Sequence, residues 1–180
     1  MNSFNNNWKI AETTFATYFN GTVVEDLEQQ YKDIDISLNK SNLTVSIKDI
    51  GDSSRKYGGA MFETTLLSSQ TGKQSDGSFY KCAADYYAIR LWHKGRMCWY
   101  VTKTADLKHY LESTPCKEIR TRAETERKNR QRGRFYDGTI CKMVRVEDLV
   151  ANTECLCIPI QALKNKEQRA TNYLIEWGFI

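Results

Sequence analysis

Apolar positions recur along this chain with two different periods. Over residues 6–20, Trp8, Ala11, Phe15 and Phe19 fall at helical spacing, and Gly21 supplies a stop. Glu12 lies beside that apolar stripe rather than opposite it. Val24, Leu27 and Tyr31 predict a second short helix over residues 23–31.

At residue 33 the period drops to two. The stretch "DIDISLNKSNLTVSIKDI" (33–50) predicts two short strands, with Leu38 and Leu43 closing a four-residue loop over 39–42. That closure places Asp35 opposite Ser46, Lys48 as its diagonal neighbour, and Asp33 directly opposite Lys48. Side chains alternate along a strand, so Asp35, Ser37, Ser46 and Lys48 are expected on one face. Ile34, Ile36, Leu38, Val45 and Ile47 are expected on the other.

Further strands are predicted at "GAMFETTLL" (59–67) and at "DYYAIRLWH" and "RMCWYVTK", which flank a Lys94-Gly95 turn. Residues 68–78 read as a polar loop. "TADLKHYLES" predicts a helix with Leu107, Tyr110 and Leu111 on one face and Thr104 as its cap. "GTICKMVRV" and "ECLCIPI" read as strands, and "KEQRATNYLIEWG" as a closing helix. The order predicts a single mixed α/β domain over 1–180, with a central, mostly antiparallel mixed sheet flanked by helices. Residues 1–113 form the expected core, and 114–180 a basic segment with a C-terminal extension.

Composition narrows the class. Hydrophobic residues at 41% with 12% aromatics exclude a disordered chain. No apolar run approaches the roughly eighteen residues that span a bilayer, so no membrane is expected. The opening "MNSFNNNWK" lacks a basic-then-apolar leader, which points to an intracellular protein. Cys82, Cys98, Cys116, Cys141, Cys155 and Cys157 are scattered without a CxxC, so buried free thiols are expected rather than a zinc site.

Charge is unevenly placed. Residues 117–134 hold eight basic residues against three glutamates, a net +5 in a chain of net +4, leaving −1 elsewhere. Such a run suits phosphate contact through Arg120, Arg122, Arg127, Lys128, Arg130, Arg132 and Arg134; a solvated surface segment is the alternative. Nothing pairs His93 or His109 with a nucleophile at recognisable spacing.

The hairpin holds the candidate chemistry. A carboxylate, a hydroxyl and an ammonium on one patch can hold Mg²⁺ and act on a phosphodiester, with Glu12 as the second acid. A solvated polar face is the plain alternative, since alternation alone puts polar residues there. The pattern Asp35 … "TVSIK" resembles the core of the PD-(D/E)XK nuclease superfamily. The similarity continues through "MFETT", a Gly-rich loop, "ADYYAIRL", its hairpin partner and "TADLKHYLES", in order over residues 8–113. The resemblance implies a restriction-endonuclease-like core with Asp35 and Glu12 as metal ligands and Lys48 as the catalytic lysine. Ser46 stands where that superfamily usually has Asp or Glu, a departure similar to that of some of its homing endonucleases, which carry a neutral polar residue there, and Asp33 rivals Asp35. Implied with it are Mg²⁺ (or Mn²⁺ in its place), double-stranded DNA, and a homodimer or homotetramer. The implied activity is site-specific endonuclease cleavage of homing or restriction type. Alternatives are a branched-DNA resolvase and a non-catalytic DNA-binding protein on the same scaffold.

Overall fold

The computed structural model of the chain describes residues 7–68, 71, 73–120 and 138–180. A six-stranded sheet runs in the order β1 (Gly21–Val23), β2 (Ile36–Leu38), β3 (Thr44–Asp49), β6 (Tyr86–His93), β7 (Arg96–Lys103) and β10 (Cys155–Pro159). Neighbours are antiparallel except β3 and β6, which are parallel, so the expected mixed sheet is present. A second sheet, of four strands, is not anticipated by the sequence pattern: β5 (Gln74–Asp76), β4 (Gly59–Leu67), β9 (Gly138–Arg145) and β8 (Lys117–Arg120). Its β4 is the strand expected over 59–67, and β5 falls inside the segment expected to be loop.

The six-stranded sheet is buried on both faces. On one face, α1 (Asn7–Phe19) sets Ala11, Phe15 and Phe19 against Ile36, Val45, Ala88 and Trp99. The short α7 (Ile160–Lys164), α8 (Gln168–Glu176) and Phe179 complete that core. Phe15 stacks on Phe19 at 4.0 Å and meets Trp99 edge-on at 5.1 Å. Each such fully buried large side chain stabilises the fold by about 1.5–3 kcal/mol. On the other face, Tyr87, Ile89, Leu91 and Tyr100 pack against α5 (Thr104–Ser113), α6 (Val146–Asn152) and the four-stranded sheet through Phe62 and Val144. There α4 (Ser78–Lys81) adds the buried Phe79, while α3 (Gly51–Tyr57) links β3 to β4. Residues beyond 113 therefore belong to both cores, and β10 is a strand of the main sheet rather than part of an appendage.

Several local expectations change. Trp8 is 45% exposed, with the Lys9 ammonium 5.3 Å from its ring, so the buried stripe of α1 begins at Ala11. The second helix, α2 (Leu27–Tyr31), starts four residues late because Val23 pairs with Ile36 in β1. Asp26 then caps α2 by accepting the Gln29 N–H at 2.9 Å. Thr104 does not cap α5: Lys103 holds the cap position, and the buried Thr104 hydroxyl has no partner among the described residues. At the α1–β1 turn Asn20 is left-handed (φ 52°), and a Cβ on Gly21 would stand 2.5 Å from Ile36 Cγ2. Glycine thus lets α1 close down on β2. Among the described residues, no helix is long and apolar enough to cross a membrane.

Candidate active site

The four-residue loop sets the hairpin register that the sequence suggested, with Ile36 opposite Val45 and Ser37 opposite Thr44. One residue earlier the ladder breaks. The Asp35 N–H donates to the Val45 carbonyl at 3.0 Å, so Asp35 and Ile36 both face Val45. Two residues opposing one is a β-bulge, and it cancels the alternation upstream of it. Ile34 packs in the second core while Ile36 packs in the first. The expected common face for Ile34 and Ile36 is corrected accordingly, and so is the plain cross-strand placing of Asp35.

The bulge divides two tasks between two aspartates. The Asp35 carboxylate accepts the Ile47 N–H through Oδ2 at 2.6 Å, taking the place of a departing strand. Asp33 sits in the left-handed region (φ 59°), a conformation aspartate tolerates better than most residues. From there its Oδ2 accepts the Ser46 hydroxyl at 3.0 Å and its Oδ1 accepts the Lys48 ammonium at 2.5 Å. The residue facing Lys48 is therefore Asp33, the rival.

Ser46 is fully buried and Lys48 half-buried, and the Lys48 ammonium stands 5.9 Å from the centre of the Tyr87 ring. Tyr87 is the register partner of Ser46 on the parallel strand β6. The Cys82 thiol points at the Asp33 carbonyl at 3.7 Å. Neither Tyr87 nor Cys82 was among the sequence candidates. Their proximity depends on which strands become neighbours, and local periodicity carries no signal of that.

Glu12 reaches the same place from α1. It is only 8% exposed, and burial first, then the Asp35 charge, raises its carboxyl from 4.5 to about 7, with Lys48 and Lys9 partly offsetting the rise. Asp35 is also raised, first by burial, against the opposing pull of the Ile47 N–H and Lys48. The structure thus gathers Glu12, Asp33, Asp35, Ser46 and Lys48: three carboxylates against one ammonium. Two of those carboxylates are hard to ionise, and a divalent cation would relieve that strain. Among the described residues no ready-made cluster of three Asp, Glu, His or Cys donors is present, and Asp33 is engaged by Lys48. A cation held here would rest on Asp35, Glu12 and water.

Elsewhere, His109 is exposed and His93 is half-buried, both outside this group. All six cysteines are free thiols, but only Cys82 and Cys98 are buried as expected; Cys116, Cys141, Cys155 and Cys157 are half-buried. Arg120 ends β8, whereas Arg122, Arg127, Lys128, Arg130, Arg132 and Arg134 lie outside the described residues. Replacing Ser46 by Ala removes one buried hydrogen bond while Lys48 still holds Asp33. The expected cost is about 1 kcal/mol, read as a melting temperature lower by roughly 2–4 °C. No family model matches the chain, and no curated protein matches it.

Proposed function

We propose that this chain is a Mg²⁺-dependent DNA endonuclease in which Asp35 and Glu12 hold the cation and Lys48 acts at the scissile phosphodiester. The observation that carries this reading is the meeting of two ionisation-resistant carboxylates and a lysine where the bulge opens the β2–β3 pair. When bound, the cation supplies Lewis-acid charge at the phosphate and a water of lowered pKa. Asp33 holds the Lys48 ammonium aimed across the strands, and an incoming phosphate competes with Asp33 for its N–H groups. The Ile47 N–H fixes the orientation of Asp35 before any ligand arrives. Ser46 positions Asp33 and does not itself meet the substrate. The basic stretch 117–134 would add affinity for double-stranded DNA without reading its sequence. Cutting both strands with one site per chain calls for two chains related by a two-fold axis.

Incubation of supercoiled plasmid with the protein should give linear product with Mg²⁺ or Mn²⁺ and none with EDTA. Cleavage that persists in EDTA, or is absent with both metals, would remove the proposal. One observation favours a second reading, a DNA-binding protein without cleavage: Lys48 is already engaged by Asp33. Duplex binding without cleavage in the same assay would establish it.

A further inference from the structure

A cleft of about 850 Å³ lies away from the carboxylate group, between the outer strand β10, α7 and the start of α8. Four basic side chains line it (Arg90, Arg96, Lys164 and Arg169) against one acid, Glu167. Outside residues 117–134 the chain is net −1, so this concentration of cations in one concavity runs against the local average.

The cations are held in different ways. Arg90 is clamped on Asp49, with Nε on Oδ1 at 2.9 Å and Nη2 on Oδ2 at 2.5 Å, and forms a rigid wall. Arg169 has no carboxylate partner among the described residues. It donates instead to the Tyr173 hydroxyl at 3.2 and 3.0 Å, with its guanidinium 5.6 Å from that ring. A tyrosine aims the fork without neutralising it. Arg96 and Lys164 are exposed, and no carboxylate among the described residues pairs with either. Three cations facing one glutamate is an anion-binding surface.

Its position relates it to the candidate site. Asp49, which clamps Arg90, directly follows Lys48 in β3, and Asp49 and Arg90 are register partners, so Arg90 leaves the sheet on the α1 face and Lys48 on the opposite, Tyr87 face. Arg96 opens β7 and Pro159 closes β10, so the cleft and the candidate site share one end of the sheet. From β3 to β10 is three strand spacings, roughly 14 Å.

We infer that this cleft grips the phosphodiester backbone of a DNA duplex at the end of the sheet where Lys48 acts, from the face opposite Lys48. The inference rests on the nuclease reading for its second anchor point and on the cleft alone for its first. Arg96 and Arg169 present forks suited to phosphate oxygens, and Lys164 adds a point charge. The contacts are to backbone, so they supply affinity and orientation rather than sequence choice.

The test compares wild type with an Arg96→Gln, Lys164→Gln, Arg169→Gln triple variant of the full chain. All three positions are exposed, and matching circular dichroism and melting curves would establish an intact fold. Duplex affinity is read by fluorescence anisotropy across a salt series, with Ca²⁺ replacing Mg²⁺ to prevent cleavage. The slope of log K against log salt should flatten by about 2–3 in the triple variant, at roughly 0.9 for each phosphate no longer neutralised. An unchanged slope in a wild type that does cleave would overturn the cleft assignment and leave the nuclease reading standing. A flattened slope in a protein that binds and never cleaves would uphold the cleft and sink the nuclease. A mononucleotide captured by wild type but not by the triple variant, with the duplex slope unchanged, would assign the cleft to a small phosphorylated ligand and overturn the inference.

Discussion

Asp35→Asn and Lys48→Ala should each slow single-turnover plasmid cleavage by about 10²–10³-fold or more, while duplex affinity changes only a few-fold. The size follows from what each group does. Removing one preorganised charge or donor at a reacting centre typically costs about 2.7–4 kcal/mol of transition-state stabilisation. Affinity for DNA is spread over many phosphate contacts and hardly registers the removal of one. Asparagine at 35 keeps an oxygen to accept the Ile47 N–H, so the bulge survives and the charge alone is tested. Asp33→Asn is the decisive companion. It weakens the Lys48 ion pair but keeps an acceptor for Ser46, and so should retain more activity than Asp35→Asn. The reverse ranking would transfer the metal-ligand role from Asp35 to Asp33.

Glu12→Gln should make the protein more stable and less active, with both effects dependent on pH. The carboxyl of Glu12 titrates at about 7 in the fold against 4.5 when free. Between those values the folded chain holds a proton that the unfolded chain has released, so this residue's contribution to stability falls as pH rises. Below 4.5 both states are protonated and glutamine changes little. Above 7 the ionised, buried glutamate costs the fold about 2–3 kcal/mol, which glutamine restores. The variant should therefore melt roughly 4–10 °C higher than wild type at pH 8 and at nearly the same temperature at pH 4. Catalysis runs the other way, since a cation needs the ionised carboxylate. Wild-type cleavage should rise with pH through about 7, and added Mg²⁺ should raise the melting temperature of wild type far more than that of Glu12→Gln. A melting temperature equal to wild type at pH 8 would mean that Glu12 carries no such strain.

Much of the hairpin was legible because it is local. Two leucines bracketing a four-residue loop determine the register, and alternation then places Ser46 and Lys48 on a common face. The bulge was not legible. It depends on Asp33 turning left-handed and on the Val45 carbonyl serving two residues, neither of which changes the apolar pattern. Glu12 could be suspected from its place beside the stripe of α1, but its depth comes from how α1 seats on the sheet, which the stripe alone does not specify. Tyr87 needed the parallel pairing of β3 with β6, forty residues apart, and the second sheet needed β4 to leave the first for β9. Such long-range pairings are decided by core complementarity, which no short window contains.

The place of β10 bears on the order in which this protein matures during synthesis. Every side chain of the carboxylate–lysine group has been synthesised once Lys48 is added. The core beneath them has not, because Leu156, Ile158, Leu174 and Phe179 follow more than a hundred residues later and finish the surface on which Phe15, Phe19 and Trp99 rest. Non-local closure of this kind folds slowly, since its loop entropy is spent before its contacts form. A nascent chain therefore carries all the charges of the group before it has the support that aims them. The group would become competent only after Phe179 has been added.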